Sequence, residues 1–233
     1  MWTRLRRYRH TLRKKRFYRQ FIRSGDLVFD VGANIGNHSR LFRSIGARVV
    51  AFEPQGTCAD VLALTFAHDP DFTLVRAAVS HSEGQAQLHI GPSDVLSTVD
   101  TDWIAAMNRG GRFANHWHRH DMVSITTLDA AIEQFGLPDL LKIDVEGHEW
   151  AVLRGLSVPV RYLSFEFASE SLDNTARGIA HLDTLGAYSF RHSLAEHHQL
   201  EGPDWCSGGE MMRRLRSAAM ADARVWGDVY ARS

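Results

Sequence analysis

The sequence predicts an α/β fold in which helices cover both faces of a mostly parallel central sheet. Apolar runs of strand length alternate along the chain with segments of helical period, which is the pattern of such a sheet. With 233 residues, of which 44% are hydrophobic, the chain can bury a sizeable core. Acidic residues also stand at or near the ends of apolar runs, namely Asp30, Glu53, Asp144 and Glu166. In this fold class ligands bind at the edge where the parallel strands end.

The first predicted unit is a strand, a glycine turn and a helix. The apolar run at 27–29 predicts a buried strand, the glycines within 30–36 free the turn, and residues 37–42 begin a helix. Residues 48–53 predict the second strand, which Pro54 ends.

The spacing within this unit indicates a nucleoside cofactor. Glu53 follows Gly32 by 21 residues, where an acidic residue binds a ribose diol in doubly wound folds. A dinucleotide fingerprint reads G-x-G-x-x-G, but Gly32 and Gly36 are separated by three residues, with Ala33-Asn34 in place of the middle glycine. The turn therefore suits a ligand without a pyrophosphate, and S-adenosylmethionine is the commonest such ligand.

The remaining elements follow in the same alternation, except for 91–121, which lacks firm periodicity and is typical of an active-site cover or a partly mobile loop. The predicted strands are 72–80, an exposed edge strand at 85–90, 123–127, 140–147 with its turn, 162–167 and 187–192. The predicted helices are 59–67, 128–135, 148–156, 172–185 and 209–223.

The net charge of zero conceals a strongly basic beginning. Residues 1–25 contain ten Lys/Arg and no acid, with apolar residues near helical spacing, so we divide the chain into a basic N-terminal helical segment, 1–25, and a single domain, 26–233. The segment has three interpretations: a helix packed on the domain edge or on a second subunit, a surface for anionic lipid or glycan, or a nucleic-acid contact. The last is disfavoured because the rest of the chain is acidic on balance.

Composition also indicates the redox compartment and the membrane association of the protein. Cys58 and Cys206 are too few and too scattered for a disulfide framework or a thiolate metal site. No apolar stretch approaches the roughly 18 residues needed to span a bilayer, and arginines stand where a signal peptide has its apolar region. We expect a soluble, cytoplasmic protein.

Three segments together carry a family signature. They are F-D-V-G-A-N-I-G at 29–36, V-A-F-E-P at 50–54 and L-K-I-D-V-E-G-H-E at 141–149. In this order and spacing they resemble the FkbM-type methyltransferases, and residues 126–129 and 149–155 are also similar to that family. The similarity covers about residues 26–167 and leaves out the basic segment.

This resemblance implies a Rossmann-like class I methyltransferase fold that uses S-adenosylmethionine to methylate a hydroxyl of a sugar, glycan or natural product. It also implies that Glu53 takes both ribose hydroxyls and that Asp144 lies where the methyl donor and acceptor meet. The full set of implied cofactor-binding residues is Asp30, Gly32, Asn34, Gly36, Glu53 and Pro54.

Methyl transfer is an in-line displacement, so such an enzyme mainly aligns the acceptor oxygen with the methyl group. A base, or a cation that acidifies the hydroxyl, would help an aliphatic acceptor. The candidate catalytic residues are Asp144, Glu146, His148 and Glu166. Their structural alternatives are a helix cap, a loop hydrogen bond, a solvated surface histidine and a buried ion pair, respectively.

Two arrangements could bind a metal, although we predict no metal site. His116, His118 and His120 alternate, so an extended backbone would point them the same way, but such a segment is more often solvated or substrate-facing. The second arrangement is Asp144 with Glu146 and Glu166, whose oxygens suit a hard divalent cation such as magnesium.

Two other functions stay open at this point. A nicotinamide-dependent oxidoreductase would share the fold, but the missing middle glycine argues against it. A non-catalytic membrane- or glycan-binding module would explain the basic segment 1–25. Otherwise the expected partner is a small-molecule or glycan acceptor, and a homo-oligomer is also compatible with the sequence.

Overall fold

The computed structural model describes residues 11–91, 97–99 and 119–233. The strands are β1 Leu27–Val31, β2 Arg48–Phe52, β3 Phe72–Val75, β4 Ala78–Val79, β5 Gly84–Ile90, β6 Arg119–Thr126, β7 Leu140–Ile143, β8 Tyr162–Ala168, β9 Ser189–Leu194 and β10 Trp226–Arg232. The helices are α1 at 11–18, α2 Asn37–Ile45, α3 Gly56–Thr65, α4 Leu128–Phe135, α5 Glu149–Leu153, α6 Leu172–Leu185 and α7 Gly208–Ala221.

The main sheet has seven strands in the order β3-β2-β1-β7-β8-β10-β9. All neighbouring pairs from β3 to β8 are parallel, whereas β10 runs antiparallel to both β8 and β9. The predicted mostly parallel sheet is therefore confirmed. The order changes direction at β1, because the chain leaves β1 for β2 on one side and returns through β7 on the other, and this is where such sheets bind ligands.

Helices cover the sheet on both faces because successive residues of a strand point to opposite sides. Phe29 and Phe52 pack in one apolar cluster with residues of α4 to α7. Val28 and Ala51 pack in a second cluster with residues of α1 to α3. Continuous apolar strands such as 27–29 are thus required by burial on both faces, and they fix the sheet that positions the site.

Two elements differ from the predicted pattern. No strand is predicted after the last helix, yet β10 lies between β8 and β9; Gly227 and Asp228 interrupt its apolar run and hide its strand character. The predicted strand 72–80 is divided into β3 and β4, which belong to different sheets. β4 joins a second sheet of order β4-β6-β5, and this sheet lies beside the cleft described below.

The described part of the basic segment packs its apolar side into the core. Phe17, Tyr18, Phe21 and Ile22 are buried, and the ring of Phe21 stacks on that of Tyr230 in β10 at 5.2 Å between centroids. Arginines of the same segment stay exposed. Within the described ranges of the chain, no helix combines the length and the apolar character that a membrane span needs.

Candidate active site

A cleft opens at the carboxyl edge of the main sheet, between the ends of β1, β2 and β7. Its empty volume is about 1140 Å³, including the part that is open to solvent. The walls come from the glycine turn after β1, from residues 52–55 after β2, and from the loop after β7, and the second sheet closes one side. The cleft therefore opens at the predicted edge of the sheet.

The glycine turn is held tightly against the loop after β7. The N–H groups of Gly32 and Ala33 both donate to the carbonyl of Phe52, at 3.0 and 3.1 Å. Gly32 has φ +79°, and a Cβ at this position would lie 1.8 Å from the carbonyl oxygen of Asp144. Only glycine allows this approach, because any side chain would overlap a backbone atom. The two sequence motifs are therefore in direct backbone contact.

The carboxylate of Glu53 is held by two backbone N–H groups, one from the glycine turn and one from the segment after β2. Its side chain is only 6% exposed, and its two carboxylate oxygens accept the N–H groups of Asn34 at 2.7 Å and Gln55 at 2.8 Å. Asn34 has φ +52°, a left-handed conformation that this hydrogen bond helps to hold. Glu53 also lines the cleft. Since each carboxylate oxygen has two lone pairs, Glu53 retains acceptor capacity on the cleft side.

The other predicted cofactor residues divide into two groups. Gly32, Asn34 and Pro54 line the cleft with Glu53. Asp30 and Gly36 are not among the described lining residues.

Asp30 and Gly36 support the glycine turn from outside the described lining of the cleft. Asp30 is fully buried and accepts from the Ser39 hydroxyl at 2.6 Å. Burial raises the pKa of Asp30, and the nearby Lys142 ammonium opposes that shift. Gly36 has φ +85° at the start of α2, and a Cβ there would meet the Leu62 side chain at 2.6 Å. Direct cofactor contact by either residue stays a prediction.

Three of the four predicted catalytic residues form one acidic group. Asp144, Glu146 and Glu166 each offer a carboxylate oxygen, and these oxygens lie within 4.8 Å of one another. Burial and the negative neighbours Asp144 and Glu149 raise the pKa of Glu146 well above its usual range. Burial and the same acidic neighbours raise that of Glu166 too. Such a group either holds a proton or accepts a hard cation, so general-base chemistry and cation binding are both open to it.

Lys142, which is not among the residues predicted from the sequence, supplies a positive charge to this group. It is 2% exposed, and its Nζ lies 2.7 Å from Oδ2 of Asp144. Burial works against the ammonium charge, but Asp144 and Asp30 more than offset that effect and raise the pKa of Lys142. A lysine within the otherwise apolar strand 140–143 is a signal that could have pointed to this buried partner.

The loop after β7 is tied down by a second buried acid. Oε1 of Glu149 accepts the N–H groups of Val145 at 3.2 Å and Gly147 at 3.1 Å. These bonds bracket Glu146, whose φ of +52° is otherwise unfavourable for a side chain of its size. His148 lines the cleft, with Nε2 3.0 Å from the Ser80 hydroxyl. Asp144, Glu146 and His148 therefore lie on one hydrogen-bonded loop and line the cleft, whereas Glu166 lies on β8 and is not among the described lining residues.

The histidine cluster is only partly within the described structure. His116 and His118 lie outside the described residues. His120 is exposed on β6, and its ring lies 4.7 Å from that of His89 on β5. Metal binding by this cluster is untested.

Glu149 provides a pH prediction. Burial raises its pKa from 4.5 to about 7, so the folded state binds a proton that the unfolded state has already lost between these values. The free energy of unfolding therefore falls as the pH rises through this window. Glu149→Gln keeps an oxygen for both backbone N–H groups but cannot ionise. We expect the variant to gain up to about 3 kcal/mol on the wild type between pH 4.5 and 8.

Urea unfolding of both proteins across this pH range measures the effect. Because the Glu149 carboxylate also raises the pKa of Glu146 and of Glu166, the difference between the profiles reports the titration of Glu149 together with its coupling to these two acids. Parallel profiles would show that Glu149 does not titrate in this window.

The fold and the site together define a class of protein. A doubly wound sheet, a cleft at its topological switch point, a glycine turn and an acid after the second strand make up a Rossmann-like class I methyltransferase domain. Within this class the chain belongs to the FkbM methyltransferase family, since the family model "Methyltransferase FkbM domain" matches residues 30–206. The match includes every predicted site residue and excludes α1 and β10.

Similar proteins were found by sequence and by structure. The hexuronic acid methyltransferase AglP of Haloferax volcanii is 27% identical over 143 residues, which are 60% of this chain and 54% of AglP. The chain thus spans about half the length of this relative. Among solved structures, precorrin-6y C5,15-methyltransferase of Geobacter metallireducens has a TM-score of 0.48 at 11% identity, over 96% of this chain and 88% of that chain. Aeropyrum pernix fibrillarin with natively bound S-adenosyl-L-methionine has a TM-score of 0.44 at 12% identity, over 90% and 67%.

Proposed function

We propose that the protein is an S-adenosylmethionine-dependent O-methyltransferase whose acceptor is a hydroxyl of a sugar, glycan or natural product. The observation that carries this proposal is the contact between the two motifs. A cofactor half, built around Glu53 and the glycine turn, meets a catalytic half, built around Asp144, with no room for a side chain at Gly32. A donor and an acceptor bound in the two halves would be adjacent, as an in-line displacement requires.

The cofactor half fits a nucleoside with a ribose diol. Glu53 offers fixed carboxylate oxygens for two hydroxyl donors, and the apolar side chains of Ala77, Val79 and Leu88 line the same cleft and suit a purine ring. When bound, S-adenosylmethionine supplies a methyl group that its positively charged sulfur has already activated. The protein then needs to bind and orient the cofactor and the acceptor and to exclude water.

The catalytic half is suited to accept the proton of the acceptor hydroxyl. A hydroxyl must lose its proton as it gains the methyl group, and the acidic group can take that proton. We assign the orientation of the acceptor to Asp144, which Lys142 holds at 2.7 Å. Glu146, with its raised pKa, is our candidate proton acceptor, and His148 and Glu166 complete the site. A divalent cation between the three carboxylates would act instead by acidifying the hydroxyl.

A sugar acceptor is supported by the relative AglP, whose name records a hexuronic acid as its substrate. The oxidoreductase alternative loses its support, because the chain belongs to a methyltransferase family and lacks the middle glycine. For the membrane or glycan module, Phe17, Tyr18, Phe21 and Ile22 are buried in the core, so the described part of the segment offers such a surface its exposed basic residues and few apolar ones, Leu12 among them. A homo-oligomer stays a prediction.

The test of the cofactor assignment is calorimetry with S-adenosylhomocysteine, the demethylated product. We expect binding by the wild type and a loss of at least about 100-fold in affinity for Glu53→Ala, because two hydrogen bonds to a charged acceptor are removed. Glu133→Ala is the matched control, since Glu133 is exposed on α4 and does not line the cleft.

Thermal unfolding must accompany these titrations, because Glu53 also anchors Asn34 and Gln55. The proposal is abandoned if the folded wild type does not bind S-adenosylhomocysteine at millimolar concentration. An unchanged affinity in a folded Glu53→Ala protein would refute the role of Glu53.

A further inference from the structure

Lys14 brings the basic segment into the cleft. Among the described residues that line the cleft, it is the single lysine or arginine. Its side chain is 17% exposed, and its Nζ lies 3.0 Å from Oε2 of Glu196, which also lines the cleft and is 62% exposed. Lys14 lies outside the matched family segment, so neither motif accounts for it.

Among the described residues of the cleft, the charges favour an anion beside Lys14. Glu53, Asp144 and Glu146 line the cofactor and catalytic halves with acidic groups. A ligand carboxylate would be repelled there, whereas an ammonium at the rim would attract it.

The wall beside Lys14 also favours negative charge. The first turn of α2 lines the cleft and contains no acidic residue, and the positive end of a helix attracts anions. His38 in that turn is held neutral, because burial and the charges of Lys142 and Lys14 lower its pKa well below the usual range. Within the described part of the chain, Lys14 forms its ion pair with Glu196, whose side chain is largely exposed to solvent.

We propose that Lys14 binds a carboxylate of the bound ligand and exchanges Glu196 for it. Glu196 is 62% exposed and its carboxylate can return to water, so the exchange costs little. The inference rests on the proposed function, which supplies two sources of a carboxylate: the methionine part of S-adenosylmethionine and a uronic acid acceptor. Lys14 is in either case a ligand-binding residue contributed from outside the matched family segment.

The experiment compares Lys14→Gln with Arg16→Gln. Arg16 is an exposed residue of the same helix that does not line the cleft, so the two variants lose the same charge from the same element. Calorimetry uses S-adenosylhomocysteine, which carries the amino acid carboxylate, and 5′-methylthioadenosine, which lacks it. Turnover is measured with a glucuronic acid glycoside and with the matching glucoside.

If Lys14 binds the cofactor carboxylate, Lys14→Gln weakens S-adenosylhomocysteine about 10- to 100-fold and leaves 5′-methylthioadenosine unchanged. If it binds the acceptor, both titrations are unchanged and KM rises for the glucuronide alone. In both cases Glu196→Gln removes the competing carboxylate and strengthens binding of the same ligand by up to about fivefold.

Two results would overturn the inference. One is that Lys14→Gln behaves like Arg16→Gln with both ligands and both acceptors. The other is that it weakens S-adenosylhomocysteine and 5′-methylthioadenosine equally, which would indicate a structural role. A wild-type protein that binds neither nucleoside would instead refute the proposed function on which the inference rests.

Discussion

Replacing Asp144 with asparagine is expected to reduce turnover about 100- to 10,000-fold while the affinity for S-adenosylhomocysteine stays largely unchanged. Asparagine keeps the size of the side chain, so the backbone contact with Gly32 and the cofactor half are preserved. It loses the negative charge that Lys142 positions at 2.7 Å and that we assign to the acceptor. Single-turnover kinetics with labelled S-adenosylmethionine separate this effect from cofactor binding.

Asp173→Asn serves as the control for the same chemical change, because Asp173 is exposed on α6 and does not line the cleft. Normal turnover of Asp144→Asn with the true acceptor would show that the catalytic half is wrongly assigned. A matched loss of cofactor affinity would instead place Asp144 in the cofactor half.

Replacing Lys142 with methionine is expected to destabilise the fold by about 3 to 5 kcal/mol at pH 7, the usual cost of breaking a buried ion pair. Methionine fills a similar volume but leaves the buried Asp30 and the half-buried Asp228 without the cation that opposes their raised pKa values. The loss should shrink toward pH 5, because these carboxyls can then take up protons in the folded state. Urea unfolding at both pH values measures it.

The double variant Lys142→Met/Asp30→Asn tests the assignment further. It removes one of the uncompensated charges, so we expect it to recover part of the lost stability at pH 7. If Lys142→Met unfolds like the wild type at neutral pH, the buried charges are not coupled in the way described.

The positions of the glycine turn and of Glu53 at the cleft were largely predictable because their information is local. The turn at Gly32 and the acid at Glu53 lie within one strand-helix-strand unit, and both line the cleft as their spacing predicts. The acidic group was predictable for a related reason. Parallel strands end at the same edge, so Asp144 and Glu166, each at the carboxyl end of its strand, had to be neighbours.

The partners of those residues depend on tertiary packing and could not be read from spacing. Lys142 lies two residues before Asp144 in the motif, but its place beside Asp228 depends on β10, a strand that glycine and aspartate hide in the sequence. Lys14 carries no local sign that separates it from nine other basic residues in 1–25. Lys14 lies in the cleft because α1 packs against the domain. The apolar pattern of 1–25 is compatible with this packing but does not specify it.

The stacking of Phe21 on Tyr230 has a consequence for how the chain folds as it is made. These residues come from opposite ends of the sequence, yet they share one apolar cluster with α2 and β1. At ribosomal rates of roughly 5 to 20 residues per second, the early aromatic residues wait on the order of 10 to 40 seconds for β10. During this time the apolar side of α1 lacks its last partner. A chaperone that binds nascent apolar segments would therefore find its substrate in the very region that later completes the active-site cleft.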